Sequence, residues 1–293
     1  MCSSDLFRCV RADAPECARR VIPAKYDMTP LSTDFLTGLR VCSIIRAMSE
    51  RSSSTDALVL SLAAFGEGHR EALLLTVDRG LVRAAVFGGA KSKLRALVSP
   101  WQTGKVWLYS DPVKKSVKIT DFDVMFWRQG IRESLVRTWC ASFCVELVAR
   151  SHGNADWRLV NAFLDGITVS DDNECRVALL RYMWRTLLAQ GIAPDVLSCA
   201  RCGTTGENRV LYYSPLEEAC VCDSCAKPGD RLFPLQPRSL AWLSAVEHLS
   251  PAAVRALELN DADLADLRRF LFFLANRMAG GLLKTLETSD GIL

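Results

Sequence analysis

The sequence predicts a multidomain α+β protein in which a small β barrel precedes a helical region with an inserted cysteine module. Three patterns support this: short apolar runs between glycine-containing turns, then apolar residues at helical spacing, and finally two Cys-x-x-Cys pairs. At 293 residues and 49% hydrophobic composition, the chain is long enough for two packed units. The predicted boundaries are residues 1–56 for an extension, 57–124 for the barrel, 125–293 for the helical domain and 199–225 for the module.

The N-terminal stretch does not share these patterns. Residues 1–47 show no sustained apolar period, and Pro15, Pro23 and Pro30 interrupt any helix. No basic segment followed by an apolar core marks a secretory signal. We expect residues 1–56 to be an unstructured extension or a mis-assigned start, with Met48 as the alternative first residue.

The barrel is predicted from five short strands. Two apolar runs around Asp78-Arg-Gly80 are typical of a hairpin, and residues 88–95 are expected to form a basic, glycine-started loop. Five such strands are enough for a small barrel. The predicted strands are Ala57–Phe65, Glu71–Val77, Leu81–Phe87, Lys105–Ser110 and Ser116–Thr120.

Helical periodicity begins near residue 131. A predicted apolar stripe contains Ile131, Leu135, Trp139, Phe143 and Leu147. Asp261 is the expected N-cap of the last long helix, because its carboxylate can accept a bond from a free helix N–H. The predicted helices are 131–148, 157–164, 175–190, 237–249, 251–257 and 261–286.

The cysteine module has the spacing of a metal site. Cys199 and Cys202 form one pair and Cys222 and Cys225 the other, so that two tight turns direct four thiolates at one ion. We therefore expect a structural Zn²⁺ with no open position for water. Cys220 is a fifth candidate, disfavoured because the Cys222 pair mirrors the first.

No catalytic motif accompanies this site. The sequence has no phosphate-binding G-x-x-x-x-G-K-[ST], no G-x-S-x-G and no H-E-x-x-H, so we predict no enzyme and no catalytic residues. His69-Arg-Glu71 matches half of a zinc-deaminase signature, but no P-C-x-x-C completes it. Cys140 and Cys144 share a helix face that we assign to the core.

Positive charge is local. The whole chain carries a formal charge of +3, whereas residues 58–118 contain ten basic and four acidic residues, which gives +6. The aromatic residues Phe87, Trp101, Trp107 and Tyr109 lie among these charges. A barrel with basic loops and aromatic rings is typical of proteins that hold single-stranded nucleic acid. The sequence leaves open whether Trp107 and Tyr109 or their apolar neighbours face inward.

From Ala57 onward the sequence resembles the RecO family of recombination mediators. The resemblance rests on the order of several pieces rather than on any one of them. They are Ala57-Leu-Val-Leu60, Phe65-Gly-Glu67, Leu73-Leu-Leu-Thr76, Asp78-Arg-Gly80, Gly88–Arg95, Gly191-Ile-Ala-Pro-Asp195, Cys199-Ala-Arg-Cys-Gly203 and Tyr213-Ser-Pro215.

The resemblance implies an N-terminal OB-fold, a helical domain and a zinc module, with a non-enzymatic role in recombinational DNA repair. It implies binding to single- and double-stranded DNA, annealing of complementary strands, and help with RecA loading, together with RecR, on strands coated by single-stranded DNA-binding protein. A DNA-contacting role is carried over to Arg79, Arg83, Lys91, Lys93 and Arg95. The basic loop from Lys91 to Arg95 carries fewer charges than the same loop in many relatives.

Two other functions remain open at this point. A zinc-ribbon transcriptional regulator would need a basic recognition helix, but the stretch Leu267–Leu274 is mostly apolar. A protein-binding adaptor would need no nucleic acid. No apolar run reaches the ~18 residues of a membrane span, and the resemblance implies a cytoplasmic, nucleoid-associated protein.

Overall fold

The computed structural model describes residues 51–88, 92–230 and 233–293. The predictions for residues 1–47 and for a start at Met48 lie outside this part of the chain, as does Lys91. Within the described ranges, no helix is both long and apolar enough to cross a membrane.

The predicted small barrel is confirmed. Its strands close in the order β1-β2-β3-β5-β4, with β3 parallel to β5 and the other neighbours antiparallel. The chain order therefore differs from the spatial order only where β4 and β5 exchange places. The strands are β1 (Ser52–Phe65), β2 (His69–Thr76), β3 (Gly80–Val86), β4 (Thr103–Asp111) and β5 (Ser116–Phe126).

The first strand is longer than its apolar pattern. β1 begins at Ser52, before the predicted boundary at residue 57, because the polar residues from Ser52 onward pair with β4 through their backbones. Farther along, Ala57 and Val59 belong to the barrel core, whereas Leu58 and Leu60 pack with the helices. This strand is buried on both faces, which explains its continuous apolar run.

The side-chain orientation on β4 is also settled. Val106 and Leu108 are fully buried, so Trp107 and Tyr109 face outward, with Trp107 37% exposed. The predicted loop at 88–95 is partly wrong, since α1 (Lys93–Leu97) begins inside it. Leu94 and Leu97 of this short helix pack against the barrel core.

The helical region follows the barrel as predicted. A 3₁₀ turn at Gln129–Glu133 precedes the first long helix, and a buried core runs through the whole region. The helices are α2 (Leu135–Arg150), α3 (Trp157–Ile167), α4 (Asp172–Ala189), α5 (Pro237–His248), α6 (Pro251–Arg255), α7 (Asp261–Met278) and α8 (Lys284–Thr288).

The predicted stripe on the first helix is partly wrong. Ser134 caps α2 by accepting a bond from the backbone N–H of Arg137, so Ile131 lies in the preceding turn. Leu135 is 63% exposed, whereas Cys140 and Cys144 are completely buried in the core, as predicted. The cap sets the phase of the helix, which apolar spacing alone does not.

The last long helix also differs from its prediction. Asn260, not Asp261, is its N-cap and accepts a 2.8 Å bond from the Asp263 N–H. The helix ends at Met278, because Gly280 and Gly281 take φ values of 68° and 155°. Glycine adopts these angles without steric cost, and a separate helix, α8, follows.

One buried arginine joins the barrel to the helices. The side chain of Arg128 is 3% exposed, and its Nε donates to Asp165 on α3 at 2.6 Å. The same guanidinium donates to Asn161 on α3 and, on the barrel side, to Thr103 and the carbonyl of Trp101, all at 2.7–2.8 Å. The barrel and the helical region are therefore linked by a hydrogen-bond network centred on Arg128.

Candidate metal centre and nucleic-acid interface

Two tight turns form the predicted cysteine module. In the first, the Gly203 N–H donates to the Cys199 carbonyl at 2.8 Å, with Gly203 at a φ of 72°. In the second, the Cys225 N–H donates to the Cys222 carbonyl at 3.0 Å. A sheet of β6 (Leu211–Ser214), β7 (Ala219–Cys222) and β8 (Pro234–Leu235), in the order β7-β6-β8, supports the turns.

The structure brings the four predicted sulfurs together. The Sγ atoms of Cys199, Cys202, Cys222 and Cys225 all lie within 4.8 Å of one another, and Cys202 and Cys222 are 3.7 Å apart. Zn–S bonds of ~2.3 Å in a regular tetrahedron imply S···S separations of about 3.8 Å. The four residues therefore fit a metal ion that is coordinated tetrahedrally by four thiolates. In the described part of the chain, no other group of His, Cys, Asp and Glu side chains is close enough to hold one.

The protonation of these thiols also favours a cation. Hydrogen bonds with the side chain and backbone of Thr204 lower the pKa of Cys202 to about 6. Hydrogen bonds with Cys202 and Cys222 raise the pKa of Cys225 to about 12. One sulfur is thus easily ionised and a close neighbour is not, because a thiol that hydrogen-bonds to neighbouring sulfurs keeps its own proton. Ionising all four needs a positive ion among them.

The fifth cysteine is outside this cluster. Cys220 is completely buried against the helical core, and that burial raises the pKa of its thiol to about 12. Burial has the same effect on Cys144, whose pKa is raised to about 12. Both behave as apolar core residues, and His69, which opens β2 rather than lying in the loop before it, joins no metal-binding group among the described residues.

Arg201 ties the two turns together. It lies inside the first pair, and its guanidinium contacts both carboxylate oxygens of Glu217, at 2.6 and 3.1 Å. It also forms an ion pair with Asp230 at 2.9 Å and donates to the carbonyl of Cys225. Bonds from the Ser214 hydroxyl, the Lys227 N–H and this arginine lower the pKa of Asp230 to about 2. The sequence analysis missed this network, because its acidic members lie well beyond the first pair in the chain.

The five residues assigned to DNA contact are not one cluster. Arg79 lies in the turn between β2 and β3 beside Asp78, at 3.5 Å, and Arg83 pairs with Glu71 at 3.1 Å. Arg95 lies at the other end of these strands, where it donates to the carbonyl of Gly68 at 3.2 Å. Lys93 is exposed on the same short helix, and Lys91 is outside the described residues.

That other end of the barrel collects further cations. The loop at 66–68 and the end of β3 lie there, because Arg70 pairs with Val86, and Lys118 of β5 borders them through its pairing with Ala85. We call this surface the loop end. No carboxylate in the described chain lies within 4.0 Å of its cations. They are Arg70, Lys93, Arg95 and Lys118.

Two of these cations, Arg70 and Lys118, were missed as site residues. Both were counted in the local charge, but no local pattern places them beside one another. The pairings of Arg70 with Val86 and of Lys118 with Ala85 bring them together at the end of β3. Trp101 is not part of this surface, because its half-buried ring packs against the core of the helical region.

Comparison with known proteins gives a consistent result. The family model described as "Recombination protein O C terminal" matches residues 132–287, which is more than half of the chain. A protein named DNA repair protein RecO from Anaeromyxobacter sp. (strain Fw109-5) is 29% identical over 243 residues, covering 76% of this chain and 93% of the relative.

Two further relatives carry the same name. The protein from Anaeromyxobacter sp. (strain K) is 28% identical over 216 residues, covering 68% of this chain and 84% of its own length. That from Syntrophotalea carbinolica is 26% identical over 184 residues, covering 60% and 70%. With the barrel, the helices and the four-cysteine cluster in the expected order, the chain belongs to the RecO family.

Proposed function

We propose that this protein is a DNA repair protein that binds single- and double-stranded DNA and anneals complementary strands. With RecR, it would help to load RecA onto strands coated by single-stranded DNA-binding protein, without catalysing a reaction itself. Membership of the RecO family supports the repair role. The observation that supports the DNA contact is the set of cations at the loop end that have no carboxylate within 4.0 Å in the described part of the chain.

The cations at the loop end are better suited to phosphates than the paired arginines. Arg79 and Arg83 each have an acidic neighbour, which offsets their charge before DNA arrives. Lys93, Arg95 and Lys118 have none within 4.0 Å in the described chain, and Lys118 lies beside the end of β3 through its pairing with Ala85. Unpaired cations release counterions from DNA on binding, so affinity should fall steeply with salt.

Charge reversal tests this proposal. Replacing Lys91, Lys93 and Arg95 with glutamate should weaken binding to all sequences alike and flatten the slope of log affinity against log salt by roughly 2 on single strands. Annealing should fall in parallel, since two negative strands need a positive surface to approach each other. Fluorescence anisotropy over a salt series measures the slope.

The matched control reverses Arg79 and Arg83 instead. Because each is already paired, this variant should flatten the slope less than the triple reversal does. A triple variant with unchanged slope and unchanged annealing would move the DNA contact away from the barrel. A protein that shows no annealing and no affinity for unrelated oligonucleotides would favour the adaptor alternative, and one that prefers a single site would favour the regulator.

We also propose that the four cysteines hold Zn²⁺ in a structural role. Four thiolates fill a tetrahedral ion, which leaves no position for water or substrate. Elemental analysis of reduced protein should find about one zinc per chain. Iron with visible charge-transfer absorbance would indicate an iron–sulfur centre instead, because a tetrahedral thiolate set suits both.

A further inference from the structure

The loop end carries exposed aromatic rings as well as cations. Phe65, the last residue of β1, is 45% exposed, and Phe87, directly after β3, is 46% exposed. His69 lies between them, paired with Phe65 across the strands and in edge contact with the Phe87 ring at 4.9 Å between centroids. Large apolar side chains this exposed mark surfaces that meet a partner when they lie side by side.

A third ring extends this surface across β4 and β5. Tyr109 faces outward and pairs with Lys118, whose ammonium lies 4.7 Å from the ring centroid. Its neighbour on the other side is Ser52 of β1. Because Lys118 also pairs with Ala85 of β3, Tyr109 lies two strands away from the end of β3, where Phe87 follows.

Trp107, two residues before Tyr109, provides a contrast. It also faces outward, but its partner on β5 is Asp121. The next outward position, Lys105, is flanked by Asp56 on β1 and Asp123 on β5. A phosphate backbone near Trp107 would meet three carboxylates and one ammonium. Near Phe87 and Tyr109 it would meet the four cations of the loop end and two carboxylates, those of Glu67 and Asp111.

We propose that the loop end, extended across β5 to Tyr109, is a base-stacking site for single-stranded DNA, with Phe65, Phe87 and Tyr109 as its rings. This inference rests on the proposed function and specifies how the barrel distinguishes single strands from duplex. In a duplex the base faces are covered by their neighbours, whereas a single strand can place bases on protein rings while its phosphates meet the flanking cations. The site therefore favours single strands through ring contacts and tolerates duplex through charge alone.

The test separates bases from phosphates. Phe87→Leu and Tyr109→Leu remove the ring and keep an apolar side chain, and Trp107→Leu is the matched control on the acidic side. Each protein is titrated with a mixed-sequence single strand, an abasic strand of the same length and the corresponding duplex. Stacking on one ring predicts single-strand binding about 5-fold weaker or more in Phe87→Leu and Tyr109→Leu, with the abasic strand and the duplex unchanged.

Each outcome decides the proposal. Selective loss on the single strand in the two loop-end variants, with Trp107→Leu unaffected, supports it. Equal loss on all three probes, no loss on any probe, or the same loss in Trp107→Leu overturns the stacking proposal. If the wild-type protein binds the DNA probes in these cases, the proposed DNA-binding function still stands. Wild-type protein that binds none of the probes overturns the proposed function itself. Thermal melting of each variant shows whether the barrel is folded.

Discussion

The barrel and the cysteine module are both β structures, but different forces hold them. The barrel is a closed ladder of long strands around its own apolar core of 11 buried residues. The module sheet has strands of only 4, 4 and 2 residues, and its apolar side chains, such as Tyr213, pack on the helices. Its sulfur-bearing turns lie at the edge, where Arg201 donates to the Cys225 carbonyl and four thiols lie close enough together to hold an ion. We infer that the barrel is stable by itself and that the module depends on its metal.

The largest effect should follow loss of one thiolate. Cys202→Ser should abolish metal retention and disorder the module, since the free energy of binding a structural zinc is of the order of 10 kcal/mol in isolated modules. Amide hydrogen exchange should rise throughout residues 199–225, while the barrel strands stay protected. Elemental analysis and exchange measured by mass spectrometry would show both results.

Cys220→Ala is the control for this variant. It removes a buried thiol outside the cluster without burying a hydroxyl, so zinc content should stay at the wild-type level. Loss of zinc in this control would show that Cys220 is a ligand. Equal deprotection of the barrel in Cys202→Ser would show that the two regions do not differ as inferred.

The next largest effect should come from the barrel core. Leu74 is completely buried there, so Leu74→Ala should lower the free energy of unfolding by about 2–5 kcal/mol through lost burial and a cavity. Zinc content should not change. Denaturant unfolding gives the first result and elemental analysis the second.

Val113→Ala is the matched comparison, because Val113 is 86% exposed in the loop between β4 and β5. Its free energy of unfolding should change by less than about 0.5 kcal/mol. If Leu74→Ala also loses its zinc, the barrel and module unfold as one unit and the comparison fails.

The smallest effect should come from the network around the metal. Arg201→Met removes the bonds to Glu217, Asp230 and the Cys225 carbonyl but keeps an unbranched side chain. Groups that orient metal ligands typically change affinity by about 10–100-fold, so zinc should be lost to a competing chelator at roughly tenfold lower chelator concentration. Arg209→Met, an exposed site in the same module, should match wild type. A wild-type chelator profile for Arg201→Met would show that the turns hold their geometry without the network.

Local sequence determined much of this protein. Alternating and continuous apolar runs located the five strands, although β1 starts earlier than its apolar part. The spacing of Cys199, Cys202, Cys222 and Cys225 was enough to select the four sulfurs that meet, because two residues between cysteines impose a tight turn whatever surrounds it. Helix positions followed from the 3.6-residue period, with errors at the caps.

Tertiary structure decided which residues share a surface. The pairings of Arg70 with Val86 and of Lys118 with Ala85 bring cations of β2 and β5 to the end of β3, and the pairing of β2 with β3 gives Arg83 an acidic partner instead. Arg128 and Arg201 find their partners far along the chain in the same way. Strand register and helix packing set these distances, and both depend on contacts between segments that no local pattern links. The sequence therefore specified the kinds of groups available, and the fold determined which of the described cations have no carboxylate within 4.0 Å.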